Sequence, residues 1–444
     1  MECMEGTHVR VLRSARTPRQ VPGVAGAQAN RVVIGALNAD CWRLVLGYLS
    51  VRELMRTEAA CRDWQRLVLD DISRRPIMIM DMFNEIDENT IVVRKKSKIW
   101  PSFKRWLKKC GRAVQSLSLD CQNFSGVVEL LRDACPNLEI LRLWNLKSAL
   151  PPTDTLHFQR LELLTLETCL EITDACVSQF LTSGLQELTL VDNKRVTGRF
   201  LRRLRTPQLE RLVLTSCRAF KFSFLLESAD RLTNLTSLVL RKRNHNKIEI
   251  RDKLHLLVDK MPNLESLIVS VEDVCARADA ARLRAESDEL MAALCRRQRL
   301  YHLDANFDAW DQHLQALATS CEMLGVLRLR RSYITRAGLD ALLRARGAHL
   351  LELTLAGARL GDRDVAACVH ACPKLVWLDI ADCEVSAGVV ALVARARRDM
   401  RANLRASTFA ADADNNLRAR LRLHTNWWLY DRDDDEFKDV LDLV

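Results

Sequence analysis

Apolar residues return along this chain in one arrangement: a leucine, two free positions, a leucine, one free position, a leucine. It occupies Leu138-Leu141-Leu143, Leu161-Leu164-Leu166, Leu185-Leu188-Leu190, Leu209-Leu212-Leu214 and Leu235-Leu238-Leu240. It continues at Leu324-Leu327-Leu329, Leu350-Leu353-Leu355 and Leu375-Leu378-Ile380, with looser copies at Val114-Leu117-Leu119, Leu264-Leu267-Val269 and Leu300-Leu303-Ala305. Copies start at 138, 161, 185 and 209, steps of 23, 24 and 24 residues, and 300 to 324 is again 24. Each copy alternates apolar and free positions, which predicts a short strand with one face buried. After the copy at 161 come Ile172, Thr173, Asp174, Val177 and Leu181. Thr173 and Asp174 suit a helix start, and Val177 and Leu181 lie one turn apart on one face. So small a unit cannot bury its own apolar side, and neighbours must stack.

Eleven copies at this period resemble leucine-rich repeats, whose period is roughly 20 to 29 residues. The resemblance implies an α/β solenoid, a curved horseshoe with parallel strands on the concave face and helices outside. Position nine of the frame holds Cys169, Cys217, Cys383 and, as a variant, Asn193, which resembles the cysteine-containing repeat subtype. Cys169 and Cys176 then read as buried packing residues, since no histidine or lysine adjoins either thiol in sequence. Two stretches break the rhythm. Leu264 to Leu300 spans 36 residues, and 274–295 is rich in Ala, Arg and Glu, which predicts a longer outer helix. Beyond Ile380 the frame fades, with Leu404 and Phe409 in a degenerate last unit; Trp427, Trp428 and Tyr430 then precede an acidic run. That tail is expected to cap the last repeat, with folding onto the concave face as the alternative.

Ahead of the repeats, residues 37–69 read LNADCWRLVLGYLSVRELMRTEAACRDWQRLVL. Leu37, Cys41, Val45, Tyr48 and Leu49 keep helical spacing; Asn38 and Ser50 can cap two helices, and a third carries Trp64, Leu67 and Val68. The segment resembles an F-box in Leu37, Val45, Leu46, Leu49, Glu53-Leu54 and Cys61-Arg62-Asp63-Trp64, and departs from it at Asn38, where that family has proline. The resemblance implies a small all-α unit docking a Skp-type adaptor through Leu37, Cys41, Val45, Leu46, Leu49, Leu54 and Trp64, and through it a cullin–RING ubiquitin ligase. A helical cap for the solenoid is the alternative. The chain divides into a disordered basic tail (1–34), the F-box-like three-helix unit (35–82), a bridging linker (83–112), about 11–12 repeats (113–410), and a C-terminal cap with acidic tail (411–444).

Composition narrows the chemistry. Hydrophobic residues make up 48% and charged residues 28% of the 444, the balance of a chain with a core. The apolar runs are too short for a membrane span, and no signal peptide stands out. The 15 cysteines are scattered with no CxxC, so reduced thiols in the cytoplasm or nucleus are expected, and no structural zinc. The net charge of +10 lies in separate groups such as Arg94, Lys95, Lys96 and Lys98, without interleaved aromatics, so nucleic acid is not the expected partner. Arg10, Arg13, Arg16 and Arg19 follow Glu5 with no further acid, weakly similar to a mitochondrial transit peptide. No phosphate-binding glycine loop, HExxH or GxSxG is present, so neither an enzyme nor a cofactor is expected.

Strand alternation aims the residues beside the inward leucines at the concave face. Candidate target contacts there are Arg142, Trp144, Arg211, Arg241, Asp304, Arg328, Arg330, Trp377 and Asp379. The guanidinium forks of Arg211, Arg241, Arg328 and Arg330 suit an acidic or phosphorylated protein, the two tryptophans suit hot spots, and charge reversal at Arg241 and Arg330 is expected to weaken the partner. The function implied is the substrate-recognition subunit of an SCF-type ubiquitin ligase. A protein-interaction scaffold without ligase role is the alternative.

Overall fold

The leucine frame becomes strands because each inward leucine has the leucines of the next repeat to pack against. This computed structural model describes residues 38–49, 53–54, 62–72, 77–80, 90–92, 100–121, 126–146, 158–204, 208–242, 248–271, 280–381, 383–386, 388–389, 393 and 401–403. Its fourteen strands are β1 (Ile77–Met80), β2 (Thr90–Val92), β3 (Val114–Asp120), β4 (Ile140–Trp144), β5 (Leu163–Glu167), β6 (Glu187–Val191), β7 (Arg211–Thr215), β8 (Ser237–Lys242), β9 (Ser266–Val271), β10 (His302–Trp310), β11 (Val326–Tyr333), β12 (Glu352–Leu355), β13 (Trp377–Asp379) and β14 (Arg401–Asn403). They form one parallel sheet in the order β14 to β3 and then β1 and β2, a curved α/β solenoid of leucine-rich repeats. Register follows the frame: Leu164 pairs with Leu141 and Leu188, and Leu166 with Leu143 and Leu190. These leucines are fully buried, in one continuous core.

The outer side carries α3 (Trp100–Cys110), α4 (Val127–Ala134), α5 (Asp174–Phe180), α6 (Phe222–Ser228), α7 (Ile248–Asp259), α8 (Ala280–Cys295), α9 (Asp311–Ser320), α10 (Arg336–Arg346) and α11 (Asp362–Ala371). In front lie α1 (Ala39–Gly47) and α2 (Arg62–Ile72). Asn38 caps α1 as expected, its Oδ1 accepting from the Cys41 N–H at 2.8 Å. Thr173 precedes α5 but makes no side-chain cap. Asp174 instead reaches the next repeat, accepting from Thr197 N–H at 2.9 Å and Thr197 Oγ1 at 2.8 Å. Asp311 does the same with Thr335, and Asp362 with Ser386. The helix-start acid is therefore an inter-repeat clasp.

The turn after each strand shows why position nine matters. Asn145, Thr168, Asp192 and Ser216 have φ between 48° and 55°, in the left-handed region, and Gly357 takes the same slot. That conformation turns each N–H onto a carbonyl near the end of the following repeat's strand, as from Thr168 to Val191 at 2.9 Å. Position nine comes next. Cys169 Sγ donates to the Leu143 carbonyl at 3.7 Å, Cys217 to Leu190 at 3.5 Å and Cys383 to Leu355 at 3.5 Å. Asn193 fills the role with Nδ2, donating to Leu166 at 2.7 Å, while its Oδ1 accepts from Cys169 N–H at 3.0 Å. Burial raises the thiols: Cys169 is pushed up to about 11, and Cys135 and Cys321 to about 12. They behave as the packing residues expected.

The sheet runs past the boundary drawn at 113. β1, placed in the F-box-like unit, pairs with β3, and β2, placed in the linker, pairs with β1. At the other end β14 follows β13 by 24 residues, since Trp377 pairs with Arg401. The long interval holds α8 of 16 residues, the outer helix expected. The repeat after it has the longest of these strands: β10 and β11 pair beyond a register shift at Ala305/Asp308, where Trp310 and Tyr333 stack at 5.3 Å. Arg284 of α8 lies over the Trp310 ring at 5.3 Å. Residues 1–37, among them Leu37 and the basic tail, and 404–444, with Leu404, Phe409, Trp427, Trp428, Tyr430 and the acidic run, lie outside the described residues.

Two substitutions separate the roles at position nine. Asn193→Leu leaves a buried N–H and a buried carbonyl unpaired and is expected to cost about 3 kcal/mol. Cys169→Ala, which removes one weak donor and little volume, costs about 1 kcal/mol. Denaturant unfolding of both variants measures the difference.

Candidate functional site

Two surfaces carry side chains free to meet a partner. The first is α1. Its sequence, ADCWRLVLG, is apolar on more than one face, and the core uses only part of it. Leu46 is buried, as is Leu54, and both join Val68 and Ile72 of α2 in the common core. Trp64 packs against that core and meets Trp42 edge-on at 5.3 Å. Leu49 is also packed against it, and Cys41 is half-buried. These positions, expected at the adaptor surface, are largely spent on packing, because helices as short as α1 and α2 anchor themselves through the solenoid core. What remains outside is Leu44 at 72%, Val45 at 45% and Tyr48 at 90% exposure. Val45 was expected there. Leu44 was not singled out, and Tyr48 was read as part of the apolar face without being named an adaptor contact, although their i, i+4 spacing marks one helical face.

The second surface is the concave sheet. Cross-strand register places opposite charges beside one another, and most of the expected guanidinium forks are already answered. Arg211 Nε lies 3.6 Å from Glu187. Arg328 Nε donates to Glu352 at 3.0 Å and its Nη1 lies 3.7 Å from Asp304. Arg330 takes Asp304 as well, at 3.4 Å. Asp304 and Asp379 are buried and are not target contacts: Asp304 neutralises the arginines, and Asp379 accepts from Ala381 N–H at 3.0 Å to close its turn. Reversing Arg330 would set a second acid against Asp304 and harm the fold before it reported on a partner. Trp144 is half-buried, its indole N–H held by Glu167 at 2.7 Å. Trp377, Arg142 and Arg241 lie half-buried on this face. Between the charged groups Val213 and Val239 are buried in neighbouring strands, and Ile268 beside them is half-buried. The same alternation that selected the arginines points to these residues, which charge and aromaticity alone passed over.

No known protein family matches this chain, and neither does any curated protein. Among solved structures it is similar to one from the yeast Rad7 and Elc1 complex, with 15% identity and a TM-score of 0.45 over 82% of this chain and 88% of that one. It is also similar to a leucine-rich-repeat protein of Leptospira interrogans, with 13% identity and a TM-score of 0.38 over 70% of this chain and all of that one. At these values neither likeness says more than the geometry does.

Among the described residues no group of three His, Cys, Asp or Glu side chains converges as a metal site would need, and no helix is long and apolar enough to cross a membrane. Among the described residues the one strongly shifted histidine is His302, on β10. It is 3% exposed, its Nε2 has no hydrogen-bond partner among the described residues, and its neighbours include Arg328, Asp304, Glu352 and Arg241. Burial first, then Arg328, pushes it down to about 4.

The unfolded chain binds a proton at His302 near pH 6.5 that the fold refuses until about 4. The stability from its neutral form is complete above that window and lost as pH falls through it. His302→Gln is expected to flatten the acid limb by one proton per molecule, measured as unfolding free energy from pH 7 to 4.

Proposed function

We propose that this chain is a two-ended docking protein, a substrate-recognition subunit of an SCF-type ubiquitin ligase. Its α1 seats on a Skp-type adaptor and its concave sheet holds a protein target. The observation that carries the reading is α1 itself: a capped helix whose inner face is locked into the solenoid core while Leu44, Val45 and Tyr48 stand in water. Burying an apolar side chain of this size is worth roughly 1.5–3 kcal/mol, so three are enough to offset part of the cost of association. Asn38 supplies the helix start that proline supplies in the family it resembles, through its bond to Cys41 N–H. The reading asks no covalent chemistry of this chain. Its contribution is proximity, holding a target lysine near a charged ubiquitin-conjugating enzyme.

The target surface is mixed. With Asp304 and Glu352 answering Arg328 and Arg330, a strongly acidic or phosphorylated ligand gains little at β10–β12. Contact area comes instead from the half-buried Trp144, Trp377 and Ile268 on the same face. The reading without a ligase role keeps the same concave face and drops the adaptor.

Purified full-length protein is expected to bind a Skp-type adaptor, and the double variant Val45→Asp, Tyr48→Asp to lose at least about a hundredfold in affinity. Both side chains are exposed, so circular dichroism and unfolding should not change. Wild-type protein that is folded yet does not bind leaves only the scaffold reading.

A further inference from the structure

One residue per repeat, directly ahead of the first concave position, lines the rim where the strands begin. The backbone N–H of Glu162 donates to the Glu139 carbonyl, Gln186 to Glu162, Glu210 to Gln186, Thr236 to Glu210 and Glu265 to Thr236, each at 2.8 Å. The column is therefore continuous, and it is acidic on a chain whose net charge is +10. Glu265 pairs with Arg299 at 2.8 Å, while Glu139, Glu162 and Glu210 have no ion pair among the described residues. A groove of about 590 Å³ opens against the column, lined by Glu210, Glu265 and the amides of Gln186 and Gln208. Side-chain amides both donate and accept, which suits the backbone of an extended peptide.

The carboxylates have a period. Glu162, Glu210 and Glu265 precede β5, β7 and β9, alternate strands, so at about 4.8 Å per strand they repeat roughly every 10 Å. The chain holds a segment with the same period and opposite sign: Arg10, Arg13, Arg16 and Arg19, with no acid from Gly6 to Ala39. In polyproline II, with three residues per turn, every third side chain shares one face about 9 Å apart, and Pro18 favours extension of the residue before it. Arg16 lies 22 residues before Asn38, a tether of up to about 70 Å. From the β2 end of the sheet to β5 is only four strand steps, about 20 Å.

We propose that this rim is the docking surface for the chain's own basic segment, with Arg16 over Glu162, Arg13 over Glu210 and Arg10 over Glu265. Each exposed pair is weak alone, and the tether makes the set effective by holding it at high local concentration. The rim borders the first concave row, including Ile140, Leu163 and Arg211, so the docked segment and a bound target share one wall of the concave face. The docking does not depend on the adaptor reading.

The test uses a fluorescent peptide of residues 8–21 and the full-length chain. The peptide is expected to bind the variant R10A/R13A/R16A/R19A about tenfold more tightly than wild type, whose rim is occupied, with affinity falling as salt rises. Adding E162Q and E210Q to that variant is expected to weaken binding at least about tenfold; both glutamates are exposed, so the fold is kept. Equal affinity for wild type and the arginine variant overturns the intramolecular docking. Indifference to E162Q/E210Q, or no binding to the arginine variant, overturns the rim as its site.

Discussion

Repeat stacking here depends on the carbonyl of the last inward leucine of β4, β5, β6 and β12. It sits where the chain turns out of the sheet and away from water, and an unpaired buried carbonyl there would cost about 1–3 kcal/mol. The next repeat supplies its donor, a thiol from Cys169, Cys217 or Cys383 or the amide of Asn193. The left-handed residue just before position nine makes the link possible by turning the chain tightly enough to reach. Stability is thus passed from neighbour to neighbour, in addition to bonds within a turn such as Ala381 N–H to Asp379. The acid clasps from Asp174, Asp311 and Asp362 repeat the same logic on the outer edge.

Much of this was legible in the sequence, because a buried strand face leaves a fixed spacing of leucines and a turn that must be filled leaves a fixed small residue. The strands from β3 to β13 fall on the frame, and Asn38 caps the helix it was expected to cap. What stayed hidden was pairing. A single sequence shows Arg328 and Asp304 on strands aimed at one face, but whether they meet depends on register and on rotamers. The arginines expected to greet a partner had partners already. The N-terminal helices failed in the opposite way: residues matching a docking motif also match a core, and burial alone separates Leu46 and Leu54 from Leu44 and Tyr48. β1 and β2 carry too little of the leucine frame to be recognised from spacing.

The concave face is thus an internally balanced surface. Its ion pairs lie half out of water, where their attraction outlasts the screening that weakens fully exposed pairs. They fix side chains in place and leave the half-buried Trp144, Trp377 and Ile268 for shape to read. His302 sits among them neutral and buried, a group that resists protonation where an exposed imidazole accepts it.

One feature at the front of the molecule has a geometric result. Leu46, Leu54, Val68 and Ile72 belong to the same unbroken core as the repeat leucines. The N-terminal helices are therefore the first course of the same masonry. Whatever grips Leu44, Val45 and Tyr48 is held at a set distance and angle from every strand behind them. The sheet then works as a graduated scale: moving a bound molecule by one strand moves it about 5 Å farther from whatever is held at the front.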